Sequence, residues 1–264
     1  MQNPRVRSAL ALRDARERRR SGHLLVDGAR EIGRALGAGL EAEECFVAHD
    51  RIRSDEARAT LAEVERRGIP LVPVSPSVLA RIAFGERDEG LVLVARAPST
   101  SLERLQLPPV PLIAVVDSIE KPGNLGAIAR SADGAGVDAL IVADPLADPW
   151  NPNAIRASVG TILAIPLAVC WAGDARHFLE RAGIRIVATR VDGAIPYTEA
   201  DLSGPVAIVM GGEAEGLSTS WDDLDVVGVR IPMRGIADSL NVSVSAAILF
   251  YEALRQRGAA EGRG

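Results

Sequence analysis

The sequence predicts an α/β protein in two parts. Three observations carry this. In the C-terminal part, apolar runs of the kind found in strands covered on both faces alternate with helical patterns, which means a parallel sheet with helices on both sides. In the N-terminal part, shorter strand and helix patterns alternate and suffice for a modest core of their own. Between them lies a passage rich in Pro and Ser, Ala97-Pro-Ser-Thr-Ser and then Leu107-Pro-Pro-Val-Pro111, with no periodicity to support an element. The expected organisation is a small domain over residues 1–97, a linker over 98–110 and a larger domain over 111–264.

Taken in order, residues 5–20 read as a charged helix ending before Ser21 and Gly22. It carries seven arginines (5, 7, 13, 16, 18, 19, 20) against Asp14 and Glu17, a basic arm. A strand at 24–26 leads through Asp27 and Gly28 into a helical stretch to Leu36, with Gly37 as its stop. The next strand is 45–48. Ser54 is placed to cap a helix through Ala57, Leu61 and Val64 to Arg67, closed by Gly68. A strand at 71–74, a short helix at 75–83 and a strand at 91–95 complete the first part.

The second part opens with a continuous apolar strand, 112–117, followed by strands at 139–143, 163–169, 185–189, 206–210 and 226–231. Helices at 124–135, 152–158, 174–182 and 241–256 separate most of them. In the last helix Val244, Ala247, Ile248, Tyr251 and Leu254 recur at helical spacing, the face expected to be buried. Residues 258–264 read as a frayed tail.

A chain of 264 residues with 47% hydrophobic and 25% charged residues has an ordinary globular profile. No apolar run approaches a membrane span, and the polar, Arg-rich start lacks the core of a signal peptide, so a cytoplasmic protein is expected. Cys45 and Cys170 are far apart, and His23, His49 and His177 are scattered, so neither a disulfide framework nor a metal site is encoded. Both cysteines are expected as small core residues. The net charge of -5 argues against indiscriminate coating of nucleic acid but says little about local patches.

Three strand-to-helix turns of the second part carry more polar residues than a turn requires, and such turns at the carboxyl edge of a sheet are where open α/β folds place ligands. The first runs from Asp117 to Arg130: Asn124 stands at a helix-cap position, Gly126 permits close backbone approach, and Arg130 lies six residues on, roughly two turns along and so expected not far from the same face of the helix. The second is Gly211-Gly-Glu-Ala-Glu-Gly-Leu217, where paired glycines after a strand allow a ligand to lie against the backbone and Glu213 stands just beyond them. It matches neither a dinucleotide fingerprint nor a Walker loop. The third runs from Ile231 to Ser245, with Ser239, Asn241 and Ser243 gathered where one capping residue would do.

In these residues the chain resembles the SpoU/TrmH type of SPOUT RNA methyltransferases. Asn-x-Gly-x-Ile-x-Arg at 124–130, Gly-Gly-Glu-Ala-Glu-Gly-Leu at 211–217 and the segment 231–247 look like that family's three ordered motifs. The segment 151–160 resembles the stretch between the first two, and 19–28 the start of its small N-terminal RNA-binding domain, so the resemblance covers nearly the whole chain.

The resemblance implies transfer of the methyl group of S-adenosylmethionine to a ribose 2′-hydroxyl, by a domain whose C-terminal part is tied in a trefoil knot and which pairs as a homodimer, the active site lying near the dimer interface. It implies cofactor contacts at Gly211, Ile231 and Leu240, largely through backbone, with Thr189, Met233 and Asn241 close by. The catalytic set it implies is Asn124, Arg130, Glu213, Ser239 and Asn241, with no metal. Gly212 stands where relatives often carry Asn, so a side-chain role there is lost or supplied elsewhere. The added N-terminal domain is similar to that of ribosomal RNA enzymes, which points to ribosomal RNA of the large subunit. Some relatives serve ribosome maturation and others block an antibiotic's site, and the sequence favours neither. The rival readings are a tRNA enzyme of the same type, a catalytically idle RNA-binding protein of the same fold, and a nucleotide-dependent doubly wound enzyme. The last predicts a Gly-rich turn after the first strand of its domain, which residues 117–126 do not convincingly supply.

Overall fold

The computed structural model describes residues 3–84, 89–190, 194–212, 216–222 and 225–261. The chain forms two compact units, Met1–Pro98 with Asp148–Ala164, and Ser99–Ala147 with Ile165–Gly264.

In the first unit the charged N-terminal stretch is two helices, α1 (Pro4–Ala11) and α2 (Ala15–Ser21), where one was expected. The break has a local cause. Asp14 caps α2 by accepting from the N–H groups of Arg16 and Glu17, while Arg18 donates to the carbonyls of Leu12 and Arg13 that α1 leaves unpaired at its end. Arg18 is buried and paired with Asp148 at 2.6 Å, so this arginine is a structural tie within the unit. Arg13 donates to Arg81 O at 2.7 Å and lies over the Phe84 ring.

There follow β1 (His23–Asp27), α3 (Ala29–Gly37), β2 (Ala42–Val47), α4 (Asp55–Arg66, capped by Ser54), β3 (Leu71–Pro73), α5 (Pro76–Ile82) and β4 (Leu91–Arg96). Gly39, not Gly37, takes the left-handed backbone after α3, at φ 82°. The strands make a sheet in the order β1-β4-β2-β3, antiparallel except for β2 with β3. Val6, Ala9, Leu12, Phe46, Leu79 and Ile82 close a core on it.

The second unit contains β5 (Leu112–Asp117), α6 (Pro122–Gly134) and β6 (Ala139–Ala143). The chain then supplies α7 (Pro152–Ala157) to the first unit and returns with β7 (Leu167–Cys170), α8 (Ala172–Arg181), β8 (Arg185–Thr189), β9 (Ile195–Pro196), β10 (Val206–Gly211), β11 (Val227–Arg230) and α9 (Val242–Glu261). The strand expected over 163–169 is shifted, because Thr161–Leu163 form a 3-10 turn in the first unit. The seven strands pair in parallel in the order β7-β6-β5-β10-β8-β11-β9. The stretch read as linker is partly structured: Leu102, Leu105 and Leu107 pack against the sheet's core, and Thr100 O accepts from Val169 N–H.

Helix α9 corrects one expectation. Its buried apolar residues are Val242, Ala246, Leu249, Phe250 and Ala253, packed toward α6 and β10, whereas Val244, Tyr251 and Leu254 are 46%, 53% and 43% exposed. Both stripes are apolar at helical spacing, so periodicity alone could not choose between them.

Asp27 gives the first unit a pH dependence. Its carboxylate, 7% exposed, accepts from Phe84 N–H at 2.8 Å. Burial pushes its pKa up to about 6, outweighing that hydrogen bond and the nearby Arg156 charge. Between the unfolded value of about 4 and that value, the folded chain holds a proton that the unfolded chain has lost, so stability falls as pH rises through this window. Relative to wild type, Asp27→Asn should therefore gain up to ~3 kcal/mol between pH 4 and pH 7.5, read from urea denaturation of the full chain. A difference that does not vary with pH would contradict this.

Candidate active site

The carboxyl ends of the parallel strands converge on a cavity of 780 Å³ within the second unit. Thr189 ends β8, Gly211 ends β10, and Ile231 follows β11 directly; all three line the cavity, with Met233, Ser239 and Leu240 from the segment leading to α9. Every residue expected to touch the cofactor except Asn241 is thus brought to one wall-to-wall space. Three glycines and several apolar residues line it, a surface suited to a flat ring, and its charged lining residues are Asp238, Arg190 and Arg230.

The glycines explain how the wall closes. A Cβ at Gly211 would overlap the backbone of Gly216 and Leu217, and one at Gly212 would lie 2.7 Å from Ser118 O. Two loops therefore run against each other at a separation only glycine allows. The Asn expected of relatives at position 212 has no room here without a shift of the 118 carbonyl.

Asn241 stands at the start of α9, where its Oδ1 accepts from Ser243 N–H at 2.9 Å and from the Ser243 hydroxyl at 2.6 Å. Its Nδ2 donates to Asn124 Oδ1 at 3.3 Å, joining the first turn of α9 to the first turn of α6. Asn124 is not the cap of α6. That place is held by Lys121 without a side-chain bond, Pro122 follows it, and the Asn124 side chain is turned instead to Asn241.

Arg130 is exposed on α6. Six residues at about 100° each set it about 120° round the helix from Asn124, so the two share a helix but not a face. Ser239 is exposed at the cavity, and Glu213 lies outside the described residues. Among the described residues no group of three or more His, Cys, Asp or Glu is placed to hold a metal. Cys45 is buried, as expected; Cys170 is only half-buried, and its thiol is pushed up to about 12 by burial and by Asp174 and Asp144, which keeps it a neutral thiol.

Asp117 is a residue of this site that the motifs alone do not single out. It ends β5, is fully buried, and accepts from Ser218 N–H at 2.7 Å, Trp221 Nε1–H at 3.0 Å and the Ser118 hydroxyl at 3.0 Å. A carboxylate closing a run of five apolar residues was the available signal. The motifs do not single out Arg190 either; it lines the cavity and donates to Trp221 O at 2.6 Å and Asp222 at 2.9 Å.

Residues 111–251 match the SpoU rRNA Methylase family, and residues 3–93 match the MRM3-like substrate binding domain. The chain is 34% identical to the 23S rRNA (uridine(2479)-2′-O)-methyltransferase of Streptomyces viridochromogenes, over 97% of this chain and 91% of that protein. It is 27% identical to the 23S rRNA (guanosine(2553)-2′-O)-methyltransferase RlmP of Bacillus subtilis, over 94% and 95%. Its structure is similar to the crystal structure of the SpoU methyltransferase AviRb from Streptomyces viridochromogenes in complex with AdoMet, with a TM-score of 0.89, 32% identity, and 98% and 99% of the two chains covered.

Replacing Asp117 by Ala leaves the Ser218 amide and the fully buried Trp221 indole N–H without their acceptor. The expected cost is on the order of 3 kcal/mol of stability, with a red-shifted tryptophan emission and weaker S-adenosylmethionine binding by calorimetry, because the 216–221 segment is anchored there. Unchanged cofactor affinity in the variant would separate this anchor from the site.

Proposed function

The chain belongs to the SpoU rRNA methylase family and is an S-adenosylmethionine-dependent methyltransferase; on that premise we propose that it methylates a ribose 2′-hydroxyl of large-subunit ribosomal RNA. The observation that carries this reading is the Asn241–Asn124 hydrogen bond, which gathers two motifs beside a cavity lined by the ends of β8, β10 and β11. Two relatives named for 2′-O-methylation of 23S rRNA support the substrate. Residues 1–97, which include the match to a substrate-binding domain, would hold the RNA away from the reacting ribose.

The residues present fit the cofactor. The cavity volume lies within the usual range for small ligands, and its glycine-lined wall leaves strand-end backbone groups in place of side chains. Gly211, Ile231 and Leu240 would hold it, with Thr189, Met233 and Asn241 close by. When bound, S-adenosylmethionine supplies the electrophilic methyl group.

Displacement at that carbon is in line, so the enzyme gains most by fixing the attacking oxygen, and Asn124, Ser239 and Asn241 are the groups for that task. Asn241 is itself held from both sides, by Ser243 and by Asn124, and so arrives pre-oriented. Negative charge develops on the hydroxyl oxygen as its proton leaves. Arg130 stabilises that charge as a guanidinium, which keeps its proton at ordinary pH and therefore acts by electrostatics and not as a base. Glu213 completes the proposed set.

The working form is a homodimer in the cytoplasm. Helix α9 is apolar on both sides, and a helix of that kind is normally covered on both; its outer stripe of Val244, Tyr251 and Leu254 is the surface for a second copy. The return of the chain from β11, beyond β8 in the sheet, to α9 on β10 and α6 supports the trefoil knot implied by the family. Ribosome maturation and the blocking of an antibiotic's site use the same chemistry, and mapping the modified nucleotide decides between them.

Tritium transfer from labelled S-adenosylmethionine, offered separately to large-subunit ribosomal RNA, small-subunit ribosomal RNA and bulk tRNA, should label the first alone. Arg130→Ala should lower turnover by roughly 10²–10³-fold. Label in tRNA would keep the chemistry and overturn the substrate, whereas cofactor binding with no transfer to any RNA would favour the idle RNA-binding protein. Leu254→Arg should convert the dimer to a monomer in sedimentation; a variant that still sediments as wild type removes the α9 stripe as the interface.

A further inference from the structure

The same carboxyl edge of the sheet carries a second concave surface. Ser118 follows β5 and Asp144 follows β6, and both sit in the left-handed backbone region, at φ 54° and 43°, although neither is glycine. Such conformations persist only where the surroundings impose them, and they gather at ligand clamps. Here Ser118 N–H donates to Ala143 O, Asp144 N–H to Cys170 O, and Asp144 Oδ1 accepts from Ala172 N–H, each at 3.0 Å. Three neighbouring strand ends are thereby stapled into one platform.

On that platform stands Trp171, 74% exposed, with Leu146 67% exposed beside the same groove. Trp221 is fully buried and Trp150 half-buried, so Trp171 is the tryptophan whose ring faces water. The groove measures 1390 Å³, larger than a single small ligand needs, and its charged lining is Glu103, Asp144, Asp174 and Arg181.

These are the groups that a single-stranded nucleic acid uses. A flat exposed indole stacks bases. Carboxylates accept from the N–H donors of base edges, and an exposed guanidinium faces phosphate. A protein partner sealing the groove would instead have to desolvate three carboxylates.

Position agrees with chemistry. Ser118 lines this groove while its carbonyl abuts Gly212, which lines the cofactor cavity, and Asn124 lies in the first turn of the helix that follows Ser118. The groove is built on α8 and the strand ends, not on the outer stripe of α9 assigned above to a second copy.

We propose that this groove binds an unpaired nucleobase of the substrate RNA, adjacent to the methylated ribose and stacked on Trp171. The inference rests on the methyltransferase reading above. In methyl transfer to transcribed large-subunit ribosomal RNA, Trp171→Ala in the full chain should raise the KM for RNA roughly 5- to 150-fold, the range expected for one lost stacking contact. The KM for S-adenosylmethionine should stay where it was, and Trp171→Tyr should recover most of the loss. An unchanged RNA KM in Trp171→Ala overturns the groove and leaves the methyltransferase reading intact. So does an unchanged KM accompanied by slower self-association, which would assign the groove to a second copy of the chain. If wild type methylates no RNA, the functional reading fails, and intrinsic fluorescence judges the groove separately. Titration with a single-stranded oligoribonucleotide of mixed sequence should quench wild type and not Trp171→Tyr, and equal quenching or none overturns the inference.

Discussion

The buried carboxylate of Asp117 is the constraint on which the reactive edge of this protein depends. It ends the strand that lies between β6 and β10, in register with Ala143 on one side and Gly211 on the other. Its oxygens gather an amide, an indole and a hydroxyl that the interior would otherwise leave unsatisfied. A carboxylate taken out of water is tolerated only with such partners. The result is that Ser218 and Trp221, far away in the chain, are bound to the end of β5, whose last residue is also in register with Gly211. The cavity at the strand ends inherits its wall from this arrangement.

The polar residues at the motif turns serve the fold first, and the proposed function gives them a second use. Asn241 satisfies the start of α9 with its oxygen and reaches Asn124 with its nitrogen. The capping explanation is thus correct for Asn241 and incomplete. One side chain, used at both ends, fixes the relation between two helix starts and leaves little freedom at the place where a ribose hydroxyl would have to be aligned. The same economy appears at the glycines, where absent side chains let two loops touch and leave backbone groups to line a ligand cavity.

Arginine is used with less freedom than its abundance near the N-terminus suggests. Arg18 is consumed by the end of α1 and by Asp148, and Arg13 by the carbonyls and ring at residues 81–84. A basic arm read from charge counting is therefore partly a set of helix ties. Arg130, by contrast, is exposed on its helix, the condition under which a guanidinium can meet a substrate.

Local pattern alone determined much of this protein: the alternation of apolar runs and helical periods set the parallel sheet, Ser54 and Gly68 bounded a helix, and three overloaded turns marked the carboxyl edge where Thr189, Gly211, Ile231, Met233, Ser239 and Leu240 meet. These features depend on neighbours within a few residues, which is what a sequence displays. Only the tertiary structure decided which side of α9 is buried, because two apolar stripes at the same spacing are equivalent until α6 and β10 choose one. It also decided that Asn124 faces Asn241 and does not cap its own helix, that Asp117 binds Ser218 and Trp221, and that residues 148–164 belong with the first unit. Each is a contact between residues about a hundred positions apart or a choice between faces of similar polarity, and neither leaves a periodic trace in the chain.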